Sequence, residues 1–589
     1  MFDDRSITDS RLRFLRFISA GSLVLLLAAL FHFQVFQSDR YVQLAISNKL
    51  RVMRIPPVRG EIYDTNMVSL ASNVLTFDIV GYPLDLKKEG VLEGFASLLG
   101  RHGIPLTEGD LEKRMKDQYV APYRSVVLLK NLTLAQMTDL TSDGDFPSQI
   151  FHLPVWRRIY PVGSLLCHAL GYVGEISDRE LQSMGEGGAR SRYIGGDVIG
   201  KGGVERFYED RLQGYPGFQV IEVDARGRFV RSISSRKPVP GEDLVLTVDL
   251  GAQRLAAEVM GEKRGSIIAM EIATGEIKVL FSSPTFDVNP LSWGVAGKEW
   301  RDLINDKDKP MINRAIAGLY APGSVYKSVI AYAALAEGAV NPRTTYFCSG
   351  SYELGNQVFR CHRSWGHGNV NVIEALRDSC DVYFYEVGQK VGIDNLIKWG
   401  KLFGIGELTG IDLPGELAGT AAGREWKEKR FGERWYKGDT VNYSIGQGFL
   451  LMTPIQILRQ FGVVASGKIS RPHLLKGISE EPVDVGLDPE ILGIIQRGMD
   501  AVVSSGGTGR RAAIFGVSIA GKTSTVQNSH GDDHAAFAGY APAENPKYVA
   551  IAYVEAGLHG STAAAPLVGE ILAYLVKHDG GSVTQSQPK

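Results

Sequence analysis

Two short patterns in this 589-residue sequence bring together groups that could transfer an acyl chain. The first is Ser324-x-x-Lys327 in APGSVYKSVIAYAAL. On a helix, residues three apart share a face, so the hydroxyl and the amine can meet. A serine is a weak nucleophile until a neighbouring base takes its proton, and a lysine becomes that base when burial or nearby positive charge lowers its pKa. Pro322-Gly323 suits a tight turn into the helix, which sets Ser324 near N-terminal amides able to hold an oxyanion. Taken singly the pattern is weak. A chain this long shows S-x-x-K about twice by chance, and Ser234-x-x-Lys237 repeats it in a polar stretch that reads as surface. The second pattern, Ser379-Cys380-Asp381, is by itself no more than a turn signal.

A third triplet changes the odds. Lys522-Thr523-Ser524-Thr525 follows a small β-like run and Gly521. The order S-x-x-K, S-x-[ND], K-[TS]-[GS], on a helix start, a loop and a strand, describes serine acyltransferases that open β-lactams or process D-Ala-D-Ala. A separate cluster lies between the first two patterns and runs into the second: Cys348, Cys361 and Cys380 fall within 33 residues, with His367 among them. Three thiols and an imidazole are a tetrahedral set that zinc prefers. The spacing is not that of a standard finger, His362 competes as a ligand, and a disulfide is the alternative outside the cytoplasm. Cys167, in an apolar run, reads as a buried thiol, and His534 as a polar residue anchoring a strand.

The elements that must position these groups are legible in outline. Runs such as TFDIVGY, RSVVLLK and FQVIEVDARGR alternate with helical stretches over residues 61–240, and Pro238, Pro240 and Gly241 mark a boundary. Beyond it, LVLTVDL and SIIAMEIATGEIKVLFSS read as strands, with Thr274-Gly275 as a hairpin turn. Helices are expected at 324–337, 372–391, 394–403 and 452–466. SIAGKTST, HAAFAGYAP and YVAIAYVEA read as three closing strands, and APLVGEILAYLVKH as a last helix. The order of two strands, helices and three strands favours a central antiparallel sheet flanked by helices.

Composition sets the class. Lys plus Arg is 64 and Asp plus Glu 65, so no basic field argues for nucleic acid. Hydrophobic residues at 44% exclude a disordered chain, and four cysteines are too few for a disulfide scaffold. Phe17 to Phe36 carries no formal charge and is long enough to span a bilayer. Arg11, Arg13 and Arg16 precede it, so the positive-inside rule puts residues 1–16 in the cytoplasm and the rest outside. Bulky Phe31, Phe33, Val35 and Phe36, where a cleavage site needs small residues, favour an uncleaved anchor.

The longer motifs carry a resemblance. RGEIYD (59–64), RIYPVGSLLCHALGYVG (158–174), GKGGVERFYEDRLQGYPG (200–217), NRAIAGLYAPGSVYK (313–327) and YSIGQGFLLMTPIQ (443–456) resemble stretches of the class B penicillin-binding proteins, most closely the elongation type, over nearly the whole chain. The resemblance implies an α+β multidomain protein: a cytoplasmic tail (1–16), a transmembrane helix (17–37), a non-catalytic pedestal (38–240), a transpeptidase domain (241–578) and a flexible tail (579–589). It implies a peptidoglycan D,D-transpeptidase, with a carboxypeptidase side activity, on the periplasmic face of a bacterial inner membrane. Ser324 would attack the stem peptide, Lys327 accept its proton and Ser379 relay a proton to the leaving amine. Asp381 would hold that loop, Lys522 and Thr523 would bind the substrate carboxylate, and the amides of Ser324 and Thr525 would form the oxyanion hole. Some elongation-type members are thought to carry zinc near Cys348, Cys361, His367 and Cys380; here it would be structural. Implied partners are peptidoglycan stem peptides, a RodA-like glycan polymerase, an MreC-like scaffold and β-lactam inhibitors. The family usually has glycine where Ser524 stands, which bears on ligand fit. A division-type transpeptidase is the nearest alternative. A membrane-bound β-lactam sensor usually needs more spans and an effector, and a β-lactamase needs a deacylation base that is not evident here.

Overall fold

The computed structural model describes residues 4–39, 50–120, 125–184, 192–223, 229–294, 297–528 and 531–579. The expected tail, apart from Asp579, lies outside the described residues. The N-terminal helix Asp4–Phe31 continues as a π-helical turn, His32–Phe36. Its segment Phe14–Phe36 has a mean hydropathy of 2.2 and is not buried against the rest of the chain. The helix starts well before residue 17 because neither proline nor glycine interrupts positions 4–16.

The pedestal contains two main sheets. Strand Gly217–Val223 pairs with Leu50–Ile55 and with Phe229–Arg236. In the second, the 13-residue strand Ser69–Gly81 pairs antiparallel with Ile62–Tyr63, Val126–Leu132 and Ile150–Ile159. Helices Val91–Arg101 and Glu108–Asp117 belong to the same small core, through Phe95, Leu98, Leu99 and Leu111. Leu244–Val245, beyond the Pro238–Gly241 turn, runs parallel to Ile62–Tyr63 and completes that sheet. Beneath it Glu205 is fully buried and takes Arg59 at 2.6 Å and Arg158 at 2.7 Å. Burial alone would raise its pKa, and the two guanidiniums hold it below the ordinary carboxylate range.

The second domain is built on a five-stranded antiparallel sheet in the order Ile277–Ser283, Gly265–Glu271, Tyr548–Val554, His534–Ala541, Ala520–Val526. Alternation along the strands sorts two cores. Ile267, Ala269, Ala550, Ala552, Ala535 and Phe537 face helices Leu250–Met260 and Ala565–Lys577. Ile268, Met270, Val549, Ile551, Ala536 and Ala538 face Lys327–Ala336 and Pro454–Ser466. Thr274-Gly275 closes the first hairpin as expected, with Gly275 at φ +82°.

Two expectations change. LVLTVDL is a strand only at Leu244–Val245; the chain turns into the helix Leu250–Met260, capped by Asp249, whose carboxylate accepts the Ala252 amide at 2.8 Å. The helix expected over 372–391 is two helices, Val372–Arg377 and Asp381–Val391, broken by Asp378-Ser379-Cys380. Ser379 stands at φ +56°, a left-handed conformation that ends the first helix and turns the chain into the second.

Candidate active site

Ser324 lies in a 3-10 turn, Gly323–Tyr326, that feeds the helix Lys327–Ala336. In a 3-10 turn residues three apart eclipse, so Ser324 and Lys327 still share a face. Gly323, at φ +57°, donates its amide to Gly446 O at 2.9 Å, which fixes the turn against the 443–456 segment. Gln460 holds the far side, its Nε2 donating to Val325 O and Ser328 Oγ, each at 3.1 Å.

The break at 378–380 delivers the second motif to this turn. Ser379 Oγ donates to Ser324 Oγ at 3.0 Å. Lys327, fully buried, donates to Ser379 O at 2.8 Å, to Ser379 Oγ at 3.2 Å and to Asp381 Oδ1 at 2.6 Å. The hydrogen-bond path from nucleophile to amine therefore runs through Ser379, and Lys327 makes no direct bond to Ser324. Asp381 also accepts the backbone amide of His362 at 3.0 Å. Burial works against its ionisation, but the Lys327 charge and the contact with His362 hold its pKa below the usual range. Asp381 thus anchors Lys327 as well as its own loop.

The strand Ala520–Val526 forms the opposite wall. Lys522 is fully buried, and its amine donates to Thr523 O at 3.2 Å. Burial, and then the nearby Lys327, push its pKa well below the ordinary lysine value, while Asp381 and Asp378 oppose this. Among the described residues no carboxylate bonds this amine, so an anion arriving beside it would favour its charged form. Thr523 Oγ1 donates to Thr508 Oγ1 at 2.9 Å, and Thr508 reaches Arg377 O at 3.2 Å, tying this strand to the helix end before Ser379. Ser524 Oγ accepts the Ser324 amide and donates to Pro322 O, both at 2.9 Å. Thr525 Oγ1 accepts the Gly560 amide at 3.5 Å. Ser324, Lys327, Ser379, Asp381 and Ser524 thus meet through hydrogen bonds, Lys522 lies close enough to Lys327 to feel its charge, and Thr523 is tied in through Thr508, while the Thr525 side chain turns to Gly560. Thr508, Gln460 and the His362 amide are additions that no short motif marks.

Cys348, Cys361, His367 and Cys380 also converge, each offering a donor atom within 4.8 Å of the others. His367 Nδ1 is 3.5 Å from Cys348 Sγ and 3.6 Å from Cys361 Sγ, and no cysteine is in a disulfide. The hydrogen bond with Cys380 drives Cys361 toward the thiolate and holds Cys380 as the thiol. Three sulfurs and one imidazole nitrogen at this separation fit a tetrahedral zinc ion, which would supply a cross-link between the 348–367 insert and the Ser379 turn. His362 forms a second group with Cys361 and Asp381. Cys167 is a buried thiol, its pKa pushed up to about 12 by burial. His534 Nδ1 accepts the Ala556 amide at 3.1 Å, a strand anchor.

The chain matches the penicillin binding protein transpeptidase domain over residues 265–573 and the penicillin-binding protein dimerisation domain over residues 54–246. It is 34% identical to the peptidoglycan D,D-transpeptidase MrdA of Haemophilus influenzae, over 92% of this chain and 88% of the relative. With the Escherichia coli K12 protein of the same name it shares 32%, over 94% and 91%. Among solved structures, the complex of penicillin-binding protein 2 with MreC from Helicobacter pylori aligns with a TM-score of 0.81 at 30% identity, covering 90% of this chain and 99% of that one. A peptidoglycan synthase complex that coordinates polymerization and crosslinking aligns at 0.73 and 29%, covering 98% and 100%. A hydrogen-bonded Ser-Ser-Lys path beside a buried lysine, set on this sheet and joined to this pedestal, therefore has a family: the chain belongs to the class B penicillin-binding proteins.

Proposed function

We infer that this chain is a serine D,D-transpeptidase that cross-links peptidoglycan stem peptides during cell elongation. The observation that carries this is the continuous path Ser324 Oγ, Ser379 Oγ, Lys327 Nζ beside the buried Lys522. Ser324 Oγ attacks the carbonyl carbon of the penultimate D-Ala while Ser379 takes the Ser324 proton and passes its own to Lys327. Lys327 acts from its neutral form, with two N–H on Ser379 O and Asp381 and its lone pair toward Ser379 Oγ. The C–N bond to the terminal D-Ala breaks, the relay returns the proton to the leaving nitrogen, and an acyl-enzyme remains. An amine of a second stem then attacks that ester and regenerates the Ser324 hydroxyl; water in its place gives the carboxypeptidase side reaction. Lys522 receives the terminal carboxylate of the donor, and Thr523 stands beside it. A β-lactam enters by the same attack, its ring amide in place of the D-Ala-D-Ala bond.

Supporting the cellular placement, the exposed apolar helix Phe14–Phe36 is preceded by Arg11, Arg13 and Arg16. The apolar helix would anchor the chain in the inner membrane, with the positive side cytoplasmic and the catalytic domain in the periplasm. The likeness to a complex with MreC and to a synthase complex supports an MreC-like scaffold and a RodA-like polymerase as partners. A structural zinc ion on Cys348, Cys361, His367 and Cys380 belongs to the same reading, supported by the convergence of their donor atoms. The test is intact mass of the full-length chain in detergent over time with benzylpenicillin, followed by peptide mapping. A long-lived penicilloyl adduct on Ser324, absent in Ser324→Ala, is expected. Rapid loss of the adduct with drug turnover would mean a β-lactamase.

A further inference from the structure

The third motif departs from the usual Lys-Thr-Gly at one position, and the side chain added there is not idle. Along the strand Ala520–Val526 alternate residues share a face, so Ser524 lies on the same side as Lys522. Ser524 is buried, and its hydroxyl is held at both ends: it donates its only proton to Pro322 O and accepts the Ser324 amide, each at 2.9 Å. The turn is shaped around this hydroxyl. A Cβ on Gly323 would collide with Ser524 Oγ, and Gly323 has no side chain to place there.

We propose that the Ser524 hydroxyl closes the oxyanion hole of the resting enzyme and thereby limits the rate at which Ser324 is acylated. The inference rests on the acyl-transfer reading above. In that reaction the carbonyl oxygen gains charge as Ser324 attacks, and the family resemblance assigns the Ser324 backbone amide to the donors that meet it. That amide has a single hydrogen, and in this structure the hydrogen points at Ser524 Oγ. An arriving oxyanion has to displace the hydroxyl. A glycine at 524 offers no competing acceptor, and an alanine none either.

The penalty falls mainly on the chemical step. Before attack the substrate carbonyl is neutral and gains little from the amide; in the transition state it gains much more. Losing one neutral hydrogen bond's worth of competition corresponds to about a three- to tenfold change in rate. Attack by the acceptor amine on the acyl-enzyme passes through the same hole, so cross-link formation carries the same brake. Ser524 is a positioning residue here: it acts on the reacting oxygen through the Ser324 amide.

The experiment is stopped-flow acylation of the full-length protein in detergent by a fluorescent penicillin, comparing wild type with Ser524→Ala and Ser524→Gly. Saturation kinetics separate the non-covalent dissociation constant from the acylation rate constant. Both variants should acylate about three- to tenfold faster, with the dissociation constant unchanged. An unaltered or slower rate in Ser524→Ala overturns the proposal, because a hydroxyl that merely braces the turn would be missed, not relieved. A gain in Ser524→Gly alone also overturns it, since the obstacle would then be the Cβ. Failure of all three proteins to form a Ser324 adduct would remove the transpeptidase reading and this inference with it. An adduct forming at equal rates in all three would remove this inference alone.

Discussion

The hydroxyl of Ser379 donates to that of Ser324 at 3.0 Å, although 55 residues separate them in the chain. The contact exists because the chain breaks helix at 378–380 and holds Ser379 at φ +56°. Lys327 fixes the same residue from below, through both its carbonyl and its hydroxyl. Among the described residues, the Ser379 hydroxyl is the only group bonded to nucleophile and amine alike.

Removing that hydroxyl should therefore break proton transfer and leave the fold intact. Ser379→Ala is expected to slow acylation of Ser324 by benzylpenicillin about 10²- to 10⁴-fold, the usual contribution of a positioned acid–base group. Thermal unfolding should stay where it was, because Lys327 retains Ser379 O and Asp381. A rate within a few-fold of wild type would mean that the Ser324 proton leaves by another route.

Much of this site was legible in the sequence for a physical reason: each motif is local, and its chemistry needs fixed residue types on one turn or strand. Ser324, Lys327, Ser379, Asp381, Lys522 and Thr523 could be read without knowing how the chain folds. The sheet was legible too, since alternating residues such as Ile267 and Ile268 must serve two separate cores. What could not be read is conformation set by packing. Apolar periodicity runs through 372–391 on both sides of Ser379 and outweighs the one mark at the break, the Ser379-Cys380-Asp381 turn signal. The helix Leu250–Met260 was hidden because LVLTVDL alternates like a strand, although Asp249 is a fair N-cap signal. Thr508 and Gln460 act over long sequence separations, and no spacing rule reaches them. Ser524 was legible as a departure from a pattern, but its two hydrogen bonds were not.

The cysteine cluster makes a prediction about metal content. Elemental analysis of the purified full-length chain should find about one zinc per chain, the stoichiometry of a four-ligand structural site. Cys361→Ser should lose it. Because Cys380 is the residue between Ser379 and Asp381, loss of the metal should lower both the melting temperature and the acylation rate. A protein without stoichiometric zinc, carrying one disulfide by mass, would show that the thiols pair instead.

A last prediction concerns the seam between pedestal and catalytic domain. His168 is nine-tenths buried there, with Nε2 at 2.6 Å from Pro310 O and its ring edge-on to Phe286 at 5.5 Å. A carbonyl only accepts, so Nε2 carries the proton and Nδ1 is left facing the Cys167 thiol at 3.3 Å. Burial lowers the pKa of His168 from 6.5 to about 4; the hydrogen bond to Pro310 O opposes this, and the charge of Arg314 adds a smaller lowering. The folded state thus prefers the neutral ring. Above the unfolded value both states are neutral and the full stability is present; as pH falls toward 4 the unfolded state takes up a proton that the folded state refuses. At about 1.4 kcal/mol per pH unit the loss is about 3 kcal/mol. Denaturant unfolding of wild type and His168→Gln should therefore converge in stability as the pH is lowered through this window, and differ by a constant amount above it. The effect should reach the active site as well. Arg314 pairs with Glu555 at 2.8 Å, and Glu555 accepts the Tyr320 hydroxyl at 2.6 Å, only a few residues before Ser324. A parallel acid-side loss of acylation in wild type that is weaker in His168→Gln would trace that path; stability curves that run parallel at every pH would show that His168 does not titrate there.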